Sequence, residues 1–345
     1  MECEWLMDVL ERYSKQILFT GIGVEGQRKL AESRVAVIGL GALGTVIANN
    51  LARAGVGYLR LIDRDFVDTS NLQRQTLFNE ADVSEHIPKA VAAVEHLKKV
   101  NSEIILEPIV CDVNPSNIDQ LIKGVDLVMD GTDNYETRFL INDACVQSGT
   151  PWIYGGVIGS YGITMNIIPG ETACFRCLIK KMPAPGSQPT CSTVGVLNMI
   201  TGIISGYQTA EAVKYLVKSP DLRKTVLVVD VWENICENVP IEKDMDCKTC
   251  VHGEYEFSQN KLGSYTTSLC GSDAIQIVPQ TKGTIDFQAL HDSLTQLGDV
   301  SFNQFLLRFA YKDISITLFP DGRAIIKGVV DPGEAKSIYS EYIGL

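Results

Sequence analysis

Three glycines at fixed spacing form the first candidate site in this sequence. Gly39 lies near the end of the apolar run RVAVIGL (34–40), Gly41 and Gly44 follow it, and a segment rich in small residues comes next. A strand, a glycine turn and a helix in this order bring phosphates close to backbone N–H groups at the helix N-terminus. Asp63 ends the second apolar run, where an acid can accept hydrogen bonds from ribose hydroxyls. The pattern predicts a nucleotide site; the alternative is a glycine-rich turn that binds nothing.

Charged residues further along the chain indicate how a nucleotide would be used. Arg74 and Lys89 are cations downstream of the ribose acid, and Asp133 follows the fourth apolar run. Cations can neutralise a triphosphate while a phosphorus atom is attacked, and an aspartate beyond a strand's carboxyl end suits Mg²⁺. Each residue alone could be a solvated surface charge, but together they favour ATP chemistry over hydride transfer.

Two C-x-x-C pairs predict a metal site. Cys174 and Cys177 form the first pair, and Cys247 and Cys250 form the second. Two such pairs supply the four thiolates of a tetrahedral zinc site, and a site without an open ligand position favours a structural role. A single pair could instead be a redox pair.

Another cysteine, Cys191, ends a proline-rich stretch before a predicted helix over 196–218. A thiol beside a helix N-terminus can have a lowered pKa and act as a nucleophile. The alternative is a small buried residue at the turn. Cys270 precedes a strand-like run and is the poorer candidate for a reactive thiol.

The elements that must position these residues alternate between strands and helices. Strands are predicted at 34–40, 58–65, 103–113, 125–133 and 150–159. This order predicts an α/β fold with a doubly wound, mostly parallel, Rossmann-like sheet. A helix is expected over 6–32. We place an ATP-binding domain at 1–253 and a small C-terminal α/β domain of unknown role at 254–345.

The composition excludes several classes of function. The chain has 345 residues, is 45% hydrophobic and carries a formal net charge of −12, so it would repel nucleic acid phosphates. No apolar run approaches the ~20 residues of a membrane span, and the acidic N-terminus is unlike a secretory signal. We therefore expect a cytoplasmic protein whose ten cysteines serve as ligands, catalytic thiols or core residues rather than disulfides.

Together these motifs resemble the ThiF/MoeB/HesA and ubiquitin-activating-enzyme family over residues 11–253. The matching motifs are RYSKQILF, GLGALG, the aspartates of LIDRD, SNLQRQ, PKA, GTDN, both C-x-x-C pairs and the cysteine of PTCSTVGV. The resemblance, closest in appearance to ThiF, implies ATP-dependent adenylation of a small ubiquitin-like sulfur-carrier protein at its C-terminal Gly-Gly, with release of pyrophosphate. It implies a ThiS-like carrier for thiamine thiazole synthesis or, as the alternative, a MoaD-like carrier for molybdopterin synthesis. A cysteine desulfurase could supply the sulfur.

The resemblance also implies roles for single residues. The glycine turn lines the phosphates, Asp63 takes the ribose, and Asp133 holds magnesium. The implied nucleotide-binding residues are Gly39, Gly41, Gly44, Asp63, Asp65, Asn71, Arg74, Gln75, Lys89 and Asp133, and the candidate catalytic residues are Arg74, Lys89, Asp133 and Cys191. Cys191 matches the family's crossover loop, where a thiol could handle the carrier's sulfur.

A homodimer is implied as well, in which an N-terminal basic residue reaches the partner's ATP. Arg12 and Lys15 lie in that segment. The usual family pattern has arginine at the position of Lys15. Lysine supplies charge but not a bidentate fork, so this contact would differ from the usual one.

Two other classes of function fit parts of the pattern. An NAD-dependent dehydrogenase would need an acid or base that handles hydride transfer, and none of the four histidines has a supporting motif. A catalytically silent scaffold, tied by zinc into a dimer, would have no use for Arg74, Lys89 and Asp133.

Overall fold

The chain forms two compact units. The computed structural model describes residues 11–183, 194–259, 266–268, 274–278 and 285–343. Described residues up to 259 belong to the first unit, and those from 266 onward belong to the second. Cys191 and Cys270 lie outside the described residues. In the part of the chain that is described, no helix is both long enough and apolar enough to cross a bilayer.

A single eight-stranded sheet organises the first unit. Its strands are β1 (Arg34–Ile38), β2 (Tyr58–Ile62), β3 (Ile105–Ile109), β4 (Leu127–Asp130), β5 (Trp152–Ile158), β6 (Tyr161–Ile167), β7 (Val226–Asp230) and β8 (Ile235–Val239). The spatial order is β3-β2-β1-β4-β5-β6-β7-β8. The first five strands in this spatial order, from β3 through β2, β1 and β4 to β5, are parallel to one another. Each of β6, β7 and β8 runs antiparallel to the strand before it in the spatial order. The predicted mostly parallel, doubly wound sheet is confirmed.

Helices connect these strands. The helices of the first unit are α1 (Ser14–Ile17), α2 (Gly23–Glu32), α3 (Ala42–Ala54), α4 (Glu80–Ser84), α5 (Lys89–Val100), α6 (Ile118–Leu121), α7 (Tyr135–Ser148), α8 (Phe175–Leu178), α9 (Asn198–Val217) and α10 (Glu256–Gln259). The continuous helix expected over 6–32 is wrong in its described part. A turn separates α1 from α2, in which the Phe19 carbonyl accepts the N–H groups of Ile22 and Gly23, and Gly23 takes a φ of +61°.

The sheet lies between two apolar layers. Successive residues of β1 alternate between them, because side chains along a strand point to opposite faces. Val35 and Val37 join a cluster with buried residues of α3, α5 and α9. Ala36 and Ile38 join a second cluster, which includes α7 and the first cysteine of each C-x-x-C pair. The carboxyl ends of β1 and β4 thus open between helices at the point where the strand order reverses, which is where such sheets bind ligands.

The second unit is built on an antiparallel sheet. Its elements are β9 (Thr266–Ser268), β10 (Ala274–Ile277), α11 (Phe287–Leu294), β11 (Asp299–Phe302), β12 (Leu307–Tyr311), β13 (Ile314–Leu318), β14 (Ala324–Lys327) and α12 (Pro332–Tyr342). The strand order is β11-β12-β13-β14-β10-β9. A separate apolar core, with Phe309 and Ile326 on the sheet and Ile338 on α12, holds this unit together.

Candidate functional site

Three glycines let β1, β4 and α3 approach one another closely. Gly39 takes a φ of +86°, and a Cβ built there would lie 2.7 Å from the carbonyl carbon of Gly131. A Cβ on Gly44 or on Gly131 would overlap the carbonyl oxygen of Gly39. Gly39 and Gly44 therefore serve backbone packing. Gly131, part of the GTDN motif, was not predicted as their partner, because that contact joins distant parts of the chain.

Gly41 differs from these three glycines. A Cβ built on it would meet only the Gly131 carbonyl oxygen at 3.8 Å and Gln75 Nε2 at 4.0 Å. Packing among the described residues therefore does not require a glycine there. Gly41 is the N-cap of α3 without a side-chain cap, so N–H groups of that turn remain available to an anion.

Gln75 supplies a buried amide beside this turn. It is buried, and its Oε1 has no hydrogen-bond partner among the described residues. Buried side-chain oxygens usually have a partner, so an unpaired one next to the glycine turn is consistent with a ligand group there. The structure thus brings Gln75 together with Gly41, as the predicted site requires.

Asp63 connects the carboxyl ends of β1 and β2. It is buried, and its Oδ2 accepts the N–H of Leu40 at 2.6 Å while Oδ1 accepts the N–H of Asp65 at 2.7 Å. Burial raises the pKa of Asp63, whereas the charge of Lys89 acts to lower it. Each carboxylate oxygen keeps a second lone pair, so the side chain can still accept a hydroxyl hydrogen bond.

Lys89 places a buried positive charge at the same edge. Its Nζ lies 3.3 Å from Asp65 Oδ2, and its N–H donates to the Asp65 carbonyl at 2.9 Å. Burial acts to lower the pKa of Lys89, but the charges of Asp65, Asp63 and Asp133 outweigh it and raise the pKa. The ammonium therefore stays charged among three carboxylates.

Asp133 lies in the loop after β4 and is exposed. Its charge acts on Lys89 and also raises the pKa of Arg64 and of Arg138, so it lies at the same edge as these cations. An exposed carboxylate can take a hydrated divalent metal ion, because Mg²⁺ keeps several of its waters.

Asn71 and Arg74 lie in a turn between β2 and α4. The Asn71 carbonyl accepts the N–H groups of Arg74 and Gln75, so this turn sets where both side chains begin. Arg74 Nη1 donates to the Ser70 carbonyl at 2.9 Å, and Asn71 Nδ2 donates to Ser70 Oγ at 3.2 Å. Only Gln75 of this turn lies next to the glycine turn in the described contacts.

The two N-terminal cations have different surroundings. Arg12 Nε lies 3.1 Å from Glu103 Oε1, and its Nη1 donates to the Val100 carbonyl at 3.2 Å. Lys15, on α1, is exposed. Arg12 is therefore engaged by its own chain, whereas Lys15 is presented at the surface.

A buried ion pair at the end of β4 was missed by the sequence reasoning. Asp130 is the last residue of β4, and its Oδ2 lies 3.2 Å from Nε of Arg138 on α7. Both side chains are buried. The signal available in the sequence was an aspartate ending the apolar run of β4, with an arginine eight residues later in the following helix.

The four predicted metal ligands form one cluster. Sγ of Cys174 lies 3.9 Å from that of Cys177 and 3.6 Å from that of Cys247, and the Cys177 and Cys250 sulfurs are 3.6 Å apart. All four sulfurs lie within 4.8 Å of one another. Tetrahedral zinc with Zn–S bonds of about 2.3 Å separates its sulfurs by about 3.8 Å, so this donor set could hold zinc.

Side chains of helix α7 form hydrogen bonds with the chain segments beside both cysteine pairs. The Asn142 side-chain oxygen accepts the N–H of Phe175 at 2.9 Å, beside the first pair. Asp143 accepts the Thr249 hydroxyl at 3.0 Å and the N–H of Phe257 at 2.8 Å, beside the second pair. Since neighbouring residues on one helix hold both cysteine segments, the cluster joins parts of the chain that are far apart in sequence.

The comparisons with known proteins agree with this fold. The ThiF family model matches residues 13–249. A Bacillus subtilis (strain 168) protein described as sulfur carrier protein ThiS adenylyltransferase is 39% identical over 336 residues, which cover 96% of this chain and 99% of that relative. A Haloferax volcanii protein described as SAMP-activating enzyme E1 is 37% identical over 245 residues, which cover 71% of this chain and 90% of that relative.

Among solved structures, E. coli MccB has a similar fold, with a TM-score of 0.62 and 23% identity over 69% of this chain and 72% of that one. The matched family region includes the glycine turn, Lys89, Asp133 and three of the four clustered cysteines, and Cys250 directly follows it. The ThiF family model matches more than half of the residues of this chain, and the chain therefore belongs to the ThiF family.

Proposed function

We propose that this chain is an ATP-dependent adenylyltransferase that activates the C-terminal glycine of a small ubiquitin-like sulfur-carrier protein. The carrier's carboxylate attacks the α-phosphorus of ATP, the bond to the bridging oxygen of the β-phosphate breaks, and pyrophosphate leaves. The observation that carries this proposal is the buried Lys89, whose Nζ lies 3.3 Å from Asp65. Asp65 donates its N–H to Asp63, which also accepts the N–H of Leu40 in the glycine turn. No protein nucleophile is needed to form the mixed anhydride, so positioning and charge neutralisation supply most of the catalysis.

The proposed roles divide along the carboxyl ends of the strands. The turn at Gly41 and the first turn of α3 receive phosphate, and the second lone pairs of Asp63 receive the ribose. Lys89 neutralises charge on the phosphates, joined by Asn71, Arg74 and Gln75 from the neighbouring turn. Asp133 would hold Mg²⁺, which supplies further neutralisation of the phosphates and of the departing pyrophosphate.

We propose a ThiS-like carrier and a place in thiamine thiazole synthesis, with a MoaD-like carrier and molybdopterin synthesis as the alternative. The Bacillus subtilis relative supports the first, because its alignment covers 96% of this chain and so takes in most of the second unit. The Haloferax volcanii relative is named for a different substrate, SAMP, so family membership alone does not identify the carrier.

Other proposals concern assembly and metal. We propose a homodimer in the cytoplasm, with a cysteine desulfurase as sulfur donor and Cys191 in a later sulfur step. Residues 1–253 would form the adenylation domain and residues 254–345 a separate small domain. Zinc in the four-cysteine cluster would have a structural role, since four thiolates leave no open ligand position.

Exchange of labelled pyrophosphate into ATP tests the reaction. We expect exchange only when a carrier that ends in Gly-Gly is added, and none with the same carrier shortened by its last glycine. ThiS-like and MoaD-like carriers assayed side by side decide the branch. No exchange with any carrier, together with tight NAD binding, would overturn the proposal in favour of a dehydrogenase.

Variants separate adenylation from sulfur handling. Asp133→Ala should abolish exchange, whereas Asp119→Ala, which removes an exposed aspartate on α6, should leave it unchanged. Cys191→Ala should spare exchange and impair only the later sulfur step. Loss of exchange in Cys191→Ala would indicate a structural role for that thiol.

A further inference from the structure

The loop at 131–133 is held from both sides by the buried ion pair of Asp130 and Arg138. Asp130 Oδ1 accepts the N–H of Thr132 at 2.9 Å and its hydroxyl at 2.7 Å. Arg138 Nη2 donates to the Thr132 carbonyl at 2.6 Å. The pair therefore bonds both polar backbone groups of the residue that directly precedes Asp133.

The same pair fixes this loop to its neighbours. Arg138 Nη2 also donates to the Gly155 carbonyl of β5 at 3.1 Å, and the Gly155 N–H donates to Asp130 Oδ2 at 3.4 Å. Gln208 on α9 donates to the Asp130 carbonyl at 2.9 Å. The peptide before Asp133 is thus connected through hydrogen bonds to four elements: the end of β4, the strand β5 and the helices α7 and α9.

Such a pair is poor evidence for stability alone, because removing two charges from water costs about as much as their attraction returns. Its geometry suggests another role. We propose that Asp130 and Arg138 are positioning residues, which set the direction of the Asp133 carboxylate toward a divalent metal ion through the peptide of Thr132. This inference rests on the proposed function. Mg²⁺ demands nearly ideal octahedral geometry, so a small rotation of this carboxylate would weaken metal binding.

An arginine is required for this arrangement. Its planar guanidinium serves the Asp130 carboxylate and the carbonyls of Thr132 and Gly155 at the same time. Lysine at position 138 would keep the charge but concentrate its donors at one point, and it could not span these three acceptors. Arg138→Lys is therefore the sharpest variant, since it preserves the charge and disturbs the geometry.

A second arginine in the first unit offers a matched control. Arg60 Nε lies 2.7 Å from Glu107 Oε2, and its Nη1 donates to the carbonyls of Leu121 at 2.7 Å and Lys123 at 3.1 Å. It therefore makes the same kinds of bond as Arg138. Arg60 is the third residue of β2, in the middle of the strand rather than at its carboxyl end.

The test is Mn²⁺ binding to the full chain in the presence of ATP, followed by electron paramagnetic resonance. Mn²⁺ takes the oxygen ligands that suit Mg²⁺. We expect Arg138→Lys and Asp130→Asn to raise the Kd for Mn²⁺ by about tenfold or more, the usual effect of losing a group that orients a metal ligand. Arg60→Lys should lower the melting temperature and leave the Kd unchanged. In carrier-dependent exchange, the Arg138 variant should need more Mg²⁺ for half-maximal rate.

The outcomes separate this inference from the proposed function. If Arg138→Lys and Asp130→Asn bind Mn²⁺ as the wild type does while Asp133→Ala loses binding, the positioning role is overturned and the proposed function stands. An equal rise in Kd in Arg60→Lys would show that Arg138 acts only through stability, and it would also overturn the positioning role. If the wild type binds no Mn²⁺ with ATP, both proposals fail. Should Arg138→Lys not fold, Asp130→Asn, nearly the same size as the wild-type residue, decides the question.

Discussion

Two regions of the first unit differ in their exposure to solvent. One is the strand edge, at the carboxyl ends of β1, β2 and β4, and the other is the four-cysteine cluster. At the strand edge, Asp133 is exposed and the Asp65 side chain is 42% exposed. In the cluster, Cys174 and Cys247 are 1% and 4% exposed, and Cys177 and Cys250 are half-buried. An open edge with charged side chains can exchange a ligand, whereas a closed set of thiolates holds a metal permanently. This difference is consistent with ligand exchange in the first region and with a structural metal site in the second.

The two regions also differ in what fixes their geometry. At the strand edge, backbone contacts between Gly39, Gly44 and Gly131 set the positions of the elements, and no ligand is needed for them. In the cluster, four sulfurs within 4.8 Å of one another would repel as thiolates without a metal. Loss of metal should therefore affect the cluster strongly and the edge only through the fold.

The largest expected effect comes from breaking the cluster. Cys247→Ser should lower zinc content from near one ion per chain to near zero, and should lower the free energy of unfolding by about 4 kcal/mol or more, as loss of a structural metal does. Elemental analysis and denaturant unfolding measure both. Cys145→Ala, a buried cysteine of α7 outside the cluster, should keep the zinc. Full activity in a zinc-free wild type would contradict the structural role.

Replacing Lys89 by methionine should impair exchange at the strand edge and leave the four-cysteine cluster intact. Exchange should fall by about 100- to 1,000-fold, the usual effect of losing one preorganised group that stabilises developing negative charge. Zinc content should not change. Lys29→Met, which removes a lysine bonded to the Val217 carbonyl, should leave exchange intact. Wild-type exchange in Lys89→Met would show that the buried ammonium does not neutralise phosphate.

The pH profile of exchange tests the same lysine in a second way. Its raised pKa means that the folded state holds this proton more tightly than the unfolded state does. The stabilisation is complete below the ordinary lysine pKa and is lost only as the pH rises through the higher folded value. We therefore expect no loss of exchange from this group between about pH 7 and 9. A fall in exchange over that range that Lys89→Met abolishes would contradict the charged assignment.

Alanine variants of Gly44 and Gly41 should distinguish a glycine needed for backbone packing from a glycine needed for the approach of a ligand. Gly44→Ala should cost about 1–3 kcal/mol of stability, because its Cβ would overlap the Gly39 carbonyl oxygen. Gly41→Ala should change stability by about 1 kcal/mol or less, since its Cβ has room. It should nevertheless weaken ATP binding, measured by calorimetry. Equal ATP affinity in Gly41→Ala and wild type would mean that phosphate does not approach this turn.

The sequence predicted the parts of both regions that depend on local spacing. The glycines after β1 and the two C-x-x-C pairs are short patterns with a direct physical meaning, so Gly41 and Cys174 could be identified without a structure. Contacts between distant segments were missed. Gly131, after β4, contacts Gly39, after the neighbouring strand β1, and Arg138 on α7 pairs with Asp130 at the end of β4. No local sequence pattern indicates either contact.

Other limits of the sequence reasoning are also physical. The helical pattern over 6–32 hid a turn, because a left-handed φ at Gly23 is a property of the backbone that apolar periodicity does not reveal. Arg12 and Lys15 appeared equivalent as candidates to reach a partner's nucleotide. The structure distinguishes them, because among the described residues Arg12 is paired with an acid, Glu103, and Lys15 is not.

The smallest expected effect on stability concerns Lys15, and it tests whether the strand edge is complete within one chain. Lys15→Ala should change the free energy of unfolding by about 0.5 kcal/mol or less, because the side chain is exposed. If Lys15 reaches the nucleotide of a partner subunit, exchange should still fall. An equal mixture of inactive Lys15→Ala and Lys89→Met chains, refolded together, should then recover about a quarter of wild-type exchange, since each mixed dimer has one intact site. Arg12→Ala should not show this complementation. A mixture that stays inactive while mixed dimers form would mean that each strand edge works without its partner.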